Sequence, residues 1–263
     1  MSDRSPDLGL AIELANAAGE IIRGHFRRLE HVERKGPGDV VTEVDFLAEA
    51  LILDGIRARF PSDRIIAEES GNHPSTSAPG DSPHGERTWF VDPLDGTVNY
   101  ANGIPFFCVS IALVVDQEPV LGVVLDPTRA ELFTAISGGP ALLNGKEIRA
   151  TVSKAAQDLL VSTDREARST ASETGGSTGS RLLGSAALEI CYVAAGRLDA
   201  FLQAAHLSNW DVAAAGLIAR QAGAALSSIP DGPWFDVERR PRSFGIKVAS
   251  PAYQAPVIAH VNS

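Results

Sequence analysis

Cysteine is scarce in this chain: two in 263 residues, Cys108 and Cys191, each inside an apolar stretch. They read as buried thiols in a reducing compartment. A chain of this length buries about three quarters of its unfolded surface and needs no covalent staples. No apolar stretch approaches the ~20 residues that span a bilayer, and Met1-Ser2-Asp3-Arg4 does not begin a secretory signal. A cytoplasmic protein without a membrane partner is therefore expected. Positive charge is in deficit, with 23 Lys and Arg against 33 Asp and Glu and a net charge of −10. That argues against a nucleic-acid backbone as main partner. The same excess would repel an anionic substrate unless bound cations solved the problem locally. The six histidines show neither HxxxH nor HxH spacing and receive no role. No internal repeat is evident.

What is abundant is carboxylate at the ends of apolar segments. Trp89-Phe90-Val91-Asp92-Pro93-Leu94-Asp95-Gly96-Thr97-Val98-Asn99 reads as a short strand delivering two acids, three positions apart, into a proline-forced bend. Gly96 allows close backbone approach to a ligand, and Thr97 can offer an N–H and an O–H to an anion. An ordinary Asx-type turn would use the same residues. Acids recur in Asp39-Val40-Val41-Thr42-Glu43-Val44-Asp45, in Ile65-Ile66-Ala67-Glu68-Glu69-Ser70-Gly71 and in Asn209-Trp210-Asp211. Asp45 could instead complete a capping box with Thr42, and Asp211 could be a helix-start acid. A set of Asp and Glu without Cys or His favours Mg²⁺, Mn²⁺ or Ca²⁺ over zinc or copper.

These four segments together resemble the inositol monophosphatase family, the Mg²⁺-dependent, lithium-sensitive phosphatases related to fructose-1,6-bisphosphatase. They fall in the family's order across roughly residues 8 to 250. The Asp-x-Asp-Gly-Thr signature of haloacid-dehalogenase phosphatases fits less well, because its acids are two apart and these are three. The resemblance implies a layered α/β/α/β/α sandwich of the sugar-phosphatase type, with an antiparallel-sheet N-terminal half (1–146) and an α/β C-terminal half (147–263). It implies that Glu68, Asp92 and the backbone carbonyl of Leu94 hold one Mg²⁺, and Asp92, Asp95 and Asp211 a second. A third, weaker ion sits near Glu68 in the family, and Mn²⁺ can replace Mg²⁺. It also implies that Thr97, paired with Asp45 and helped by Glu68, activates the attacking water, while Gly96 and Thr97 N–H groups receive the phosphate. Lys35, Asp95 and the Gly184-Ser185-Ala186 loop would line the substrate. Inositol-type enzymes carry a Glu where this chain has Gln203, which keeps hydrogen bonding but loses charge. The implied function is hydrolysis of a small phosphorylated metabolite, inositol monophosphate first. The same chemistry on 3′-phosphoadenosine 5′-phosphate, histidinol phosphate or fructose 1,6-bisphosphate is the alternative, and a non-catalytic regulatory protein with the fold is the remaining one. A homodimer is expected.

Periodicity predicts helices over 5–30, from Thr42 to Phe60, over Ser185–Ala195 and over Val212–Ala222. It predicts an antiparallel meander from Phe107–Val115, Val120–Leu125 and Glu131–Ala135, closed by an Asn144-Gly145 turn. Strands follow at Leu159–Ser162, Asp199–Leu202 and Lys247–Ala249. Residues 71–87 read as a mobile loop, Thr170–Ser180 as a loop or weak helix, and a Pro251-led helix ends the chain.

Overall fold

A computed structural model describes residues 5–29, 31–36, 39–76, 86–152, 158–164, 167 and 177–253. Helix α1 (Ser5–His25) turns its Ala11, Leu14, Ala18 and Ile22 inward. It stops short of the predicted residue 30 because Arg27 takes a left-handed φ of 64°, through which a helix cannot propagate. Helix α2 (Glu43–Arg59) starts at the Thr42 cap and ends at Phe60, before Pro61. Ahead of it, β1 (Val32–Gly36) and β2 (Asp39–Thr42) form an antiparallel hairpin.

The next strands are β3 (Arg64–Ala67), β4 (Gly71–His73), β5 (Arg87–Asp95), β6 (Cys108–Val115), β7 (Glu118–Asp126), β8 (Glu131–Ile136), β9 (Leu142–Leu143) and β10 (Lys146–Glu147). They make one eight-stranded sheet in the order β10-β9-β8-β7-β6-β5-β3-β4. The predicted meander is β6-β7-β8, and Asn144 and Gly145, both at positive φ, turn β9 into β10. The segment read as a loop over 71–87 instead opens as β4, paired with β3 so that Ile65 faces His73. Residues 77–85 of that segment lie outside the described residues. Helix α3 (Thr97–Ala101) is a single turn between β5 and β6.

A second, five-stranded sheet follows the order β12-β11-β13-β15-β14. It comprises β11 (Leu159–Thr163), β12 (Ser177–Arg181), β13 (Ala200–Leu207), β14 (Ala225–Ile229) and β15 (Phe244–Ala249), with α4 (Ala186–Ala194) and α5 (Asn209–Gln221) between strands. β12 corrects the reading of Thr170–Ser180 as loop or weak helix. Its Ser/Thr/Gly composition is strand-poor, and parallel pairing with β11 supplies the order. Residues 170–176, and those of the Pro251-led helix beyond Tyr253, lie outside the described residues.

The result is a layered sandwich with mixed sheets. β5 shows the logic: Trp89 and Val91 pack with α1 and α2 on one face, while Phe90 faces α4, α5 and the second sheet on the other. Both faces are buried, so the strand reads as a continuous apolar run. Fully burying each of Ile22, Ile52 and Ile56 on the α1–α2 side stabilises the layer by about 1.5–3 kcal/mol. α5 lies so close to β7 that a Cβ on Gly122 would meet the Ala214 backbone at 2.6 Å. A small outer cluster of Leu159, Val161, Leu202 and Tyr253 covers the far face of the second sheet. No described helix is long and apolar enough to cross a membrane.

Candidate active site

The site forms where the end of β5 meets the first turns of α4 and α5. Asp92, Asp95 and Asp211 each bring one carboxylate oxygen to within 4.8 Å of the others. Each of the three carboxylates is also anchored by hydrogen bonds. Asp92 Oδ1 accepts from the Leu94 N–H at 3.0 Å, the Asx bend that Pro93 enforces. Asp95 Oδ2 accepts from Ser185 Oγ at 2.6 Å and from the Ala187 N–H at 2.7 Å, so it sits at the start of α4. Asp211 Oδ2 accepts from the Ser208 N–H at 2.7 Å, completing a capping box on α5. Asp211 is thus both a helix-start acid and a member of the cluster.

Crowding makes these groups hard to ionise together. Burial, then Glu68, Asp95 and Asp211, hold the Asp92 carboxyl well above the usual range. Burial also raises Asp95, partly offset by its donors at Ser185 and Ala187. Burial and Asp95 push Asp211 up to about 7. Buried, anchored, oxygen-only donors that repel one another are what a hard divalent cation relieves. The donor set fits Mg²⁺ or Mn²⁺. Glu68, just past β3, is close enough to act on Asp92, and its N–H donates to the Val91 carbonyl at 3.1 Å.

Thr97, the first residue of α3, places Oγ1 3.1 Å from Asp45 Oδ1 and 2.9 Å from the Leu94 carbonyl. Asp45 Oδ2 meanwhile accepts from the Thr42 N–H at 2.9 Å and the Thr42 hydroxyl at 2.6 Å. The capping role and the Thr97 contact therefore coexist on opposite oxygens. Burial lifts the Asp45 carboxyl to about 6, against the lowering effect of the Thr42 and Thr97 hydrogen bonds. Gly96 has φ 98°, and a Cβ there would meet the Phe106 carbonyl at 3.0 Å, so the bend into α3 requires glycine.

An open cleft of about 480 Å³ runs past Glu68, Asp95 and Asp211 to Gly184, Ser185, Ala186 and Gln203. Gln203 is half-buried on β13, its Nε2 donating to the Ala205 carbonyl at 3.0 Å. Lys35 falls on β1, with its side chain outside the described residues.

Sequence reading missed several residues that hold these groups in place. Glu49, buried on α2 one turn after Asp45, accepts from the N–H groups of Glu69 and Ser70, both at 2.8 Å, and so fixes the turn after Glu68. Its signal was an acid on the apolar face of α2. Asn99 donates to the carbonyls of Phe106 at 2.8 Å and Leu183 at 2.7 Å, tying α3 to the loop before α4. Glu189 accepts from the Ser162 hydroxyl and from the Leu183 N–H at 2.9 Å. Neither Asn99 nor Glu189 carries a local motif.

Comparison with known proteins agrees with this geometry. A sequence model of the inositol monophosphatase family matches residues 3–263. The chain is 42% identical over 247 residues to inositol monophosphatase 2 of Solanum lycopersicum, covering 88% of this chain and 90% of that one. It is 38% identical over 239 residues to Nus factor SuhB of Escherichia coli strain K12, covering 86% of each. Its fold matches the structure of the Thermotoga maritima IMPase with a TM-score of 0.84 at 31% identity, covering 98% of this chain and 97% of that one.

Proposed function

Because the chain belongs to the inositol monophosphatase family, and is thus a phosphoric monoester hydrolase, we propose that it hydrolyses a small phosphorylated metabolite, with inositol monophosphate the first candidate. The observation that carries this reading is the convergence of Asp92, Asp95 and Asp211 within 4.8 Å, beside the Thr97–Asp45 pair. Glu68, Asp92, the Leu94 carbonyl, Asp95 and Asp211 would hold two Mg²⁺, with a third, weaker ion near Glu68 and Mn²⁺ as a substitute. When bound, such cations neutralise phosphate oxygens, make water more acidic and stabilise the departing alkoxide.

The chain's own groups do the rest. N–H groups of Gly96 and Thr97 open α3 without intrahelical partners and suit a phosphate oxygen. Thr97 Oγ1 takes a proton from the attacking water as its own proton passes to Asp45 Oδ1. The water oxygen bonds to phosphorus, the phosphorus–ester oxygen bond breaks, and the leaving oxygen takes a proton from a solvent water to end as an alcohol, while the proton on Asp45 returns to solvent. Asp45, with its carboxyl near 6, is ionised at neutral pH and yet basic enough to accept. Gly184, Ser185, Ala186 and Gln203 would face the leaving group, and Lys35 the phosphate. A homodimer working in the cytoplasm and sensitivity to lithium belong to the same reading.

Phosphate release with Mg²⁺ tests it, over inositol 1-phosphate, 3′-phosphoadenosine 5′-phosphate, histidinol phosphate and fructose 1,6-bisphosphate. Asp92→Asn should lose far more than tenfold in kcat, a loss above ~1.4 kcal/mol. Release from none of the four with Mg²⁺ or Mn²⁺ would leave the regulatory reading that the SuhB relative raises.

A further inference from the structure

Glu189 lies buried in α4, a helix whose other inward side chains, such as Leu188, Ile190 and Val193, are apolar. Burying a carboxylate is costly unless donors surround it. Here the Ser162 hydroxyl and the Leu183 N–H, the latter at 2.9 Å, both donate to Oε1. Ser162 is itself buried in β11, so the carboxylate is tied to the second sheet.

What this acid holds in turn is a single residue of the loop before α4. The Leu183 N–H goes to Glu189, and the Leu183 carbonyl accepts from Asn99 Nδ2 at 2.7 Å. Asn99 stands in α3, two residues after Thr97. Gly184 then turns at φ 88°, so close to Asn99 that a Cβ would lie 2.9 Å from its Nδ2. Ser185 follows, buried, and its hydroxyl donates to Asp95 Oδ2 at 2.6 Å. One glycine therefore separates the residue that Glu189 fixes from the hydroxyl that anchors Asp95. Glycine is the most permissive link in a chain, so the direction of Ser185 depends on a firm hold upstream.

Resting on the cation-binding part of the reading above, we propose that Glu189 is a positioning residue for the cation at Asp95. By holding Leu183 it keeps the Ser185 hydroxyl on Asp95, and so keeps Asp95 grouped with Asp92 and Asp211. Hydrogen bonds to a metal-binding carboxylate fix its orientation, and losing one typically weakens the metal about 10–100-fold. Without an acceptor at residue 189, the Leu183 N–H must turn elsewhere, and Gly184 lets Ser185 move with it. Glu49 does the corresponding task across the cluster, accepting from the N–H groups that follow Glu68. Charge alone would act differently, since any acid near the cluster attracts a cation whatever it holds.

The test is calorimetric titration of the metal-free protein with Mg²⁺, beside thermal melts that confirm folding. Glu189→Leu keeps the bulk, removes the acceptor and should raise the Mg²⁺ Kd about tenfold or more. Glu189→Asp keeps the charge but withdraws it by one methylene; it should also raise Kd, and it carries the test should Glu189→Leu not fold. Glu189→Gln loses the charge, keeps Oε1 and should bind Mg²⁺ much as wild type does. Ser185→Ala should weaken Mg²⁺ as well, and adding Glu189→Leu to it should cost little more, because the two act on Asp95 in series. Val193→Ala, a cavity in the same helix, should lower Tm and leave Kd unchanged. Equal weakening in Glu189→Gln and Glu189→Leu would overturn the proposal in favour of charge. Additive losses with Ser185→Ala, or an unchanged Kd in both Glu189→Leu and Glu189→Asp, would also overturn it. The expected Mg²⁺ pattern in a protein that releases phosphate from none of the four esters would remove the phosphatase reading and leave this positioning role supported. A wild type that binds no Mg²⁺ removes both.

Discussion

Replacing Asp211 with Asn should stabilise the metal-free protein while destroying its activity. Burial and Asp95 move the Asp211 carboxyl from 3.8 to about 7. At about 1.4 kcal/mol per unit, holding it ionised above pH 7 costs the fold on the order of 4 kcal/mol. Asn keeps an oxygen for the Ser208 N–H, which Asp211 now binds at 2.7 Å, so the α5 cap survives. Only the charge is lost, and Asp92 and Asp95 are relieved in turn. Because the shift is shared among three groups, a net gain of about 2–4 kcal/mol is the realistic size, and at about 2 °C per kcal/mol for a chain this long, Tm should rise by ~4–8 °C at pH 8. The sign in pH follows from a folded value raised above the unfolded one. The Asp211 contribution is fully present below 3.8 and is lost as pH rises through about 7. Wild-type Tm in chelator should therefore fall between pH 5 and 8 more steeply than that of Asp211→Asn. With Mg²⁺ at a hundred times its Kd that lead should shrink by ~2.7 kcal/mol, which wild type gains and the variant cannot capture. Thermal melts at both pH values, in chelator and in Mg²⁺, provide the measurement. An Asp211→Asn protein no more stable than wild type in chelator at pH 8 would refute the crowding argument.

Thr97→Ala and Asp45→Asn should each lower kcat more than Mg²⁺ affinity, and the double variant should be little worse than either, since the pair works as a unit. Wild-type kcat should climb with pH through about 6, where Asp45 ionises, and that step should vanish in Asp45→Asn; a retained step assigns it elsewhere. Glu49→Ala leaves the Glu69 and Ser70 N–H groups without their acceptor, so it should cost about 1–3 kcal/mol in denaturant unfolding. It should also raise the Mg²⁺ concentration for half-maximal activity, and an unchanged requirement would detach Glu49 from the site. Li⁺ should inhibit uncompetitively by holding product phosphate at the cluster of Asp92, Asp95 and Asp211, and strictly competitive inhibition would exclude that mode.

The acidic bend at Asp92–Thr97 was legible because its strand, proline, glycine and acids are adjacent in sequence. The Thr42 cap, the β6-β7-β8 meander and the Asn144-Gly145 turn were legible for the same local reason. β4, β12 and β14 were not. Gly71-Asn72-His73, Ser177–Arg181 and Ala225–Ile229 carry little strand preference, and neighbouring strands impose their order. The grouping of Asp211 with Asp92 and Asp95 could be named by resemblance, but its geometry depends on how α5 lies on β7. Glu49, Asn99 and Glu189 act through partners 20, 84 and 27 residues away, a separation no local pattern reveals.

Asp95 takes its supporting hydrogen bonds from Ser185 and Ala187, 90 and 92 residues downstream. On a ribosome adding ~5–20 residues per second, those donors arrive roughly 5–20 s after Asp95 has emerged. Throughout that interval the nascent chain displays Asp92 and Asp95 but neither the start of α4 nor Asp211. A truncated or stalled product therefore lacks Asp211 and leaves Asp95 without the Ser185 and Ala187 donors, so its acid cluster is incomplete. The complete, anchored cluster exists only once α4 and α5 have been made and docked.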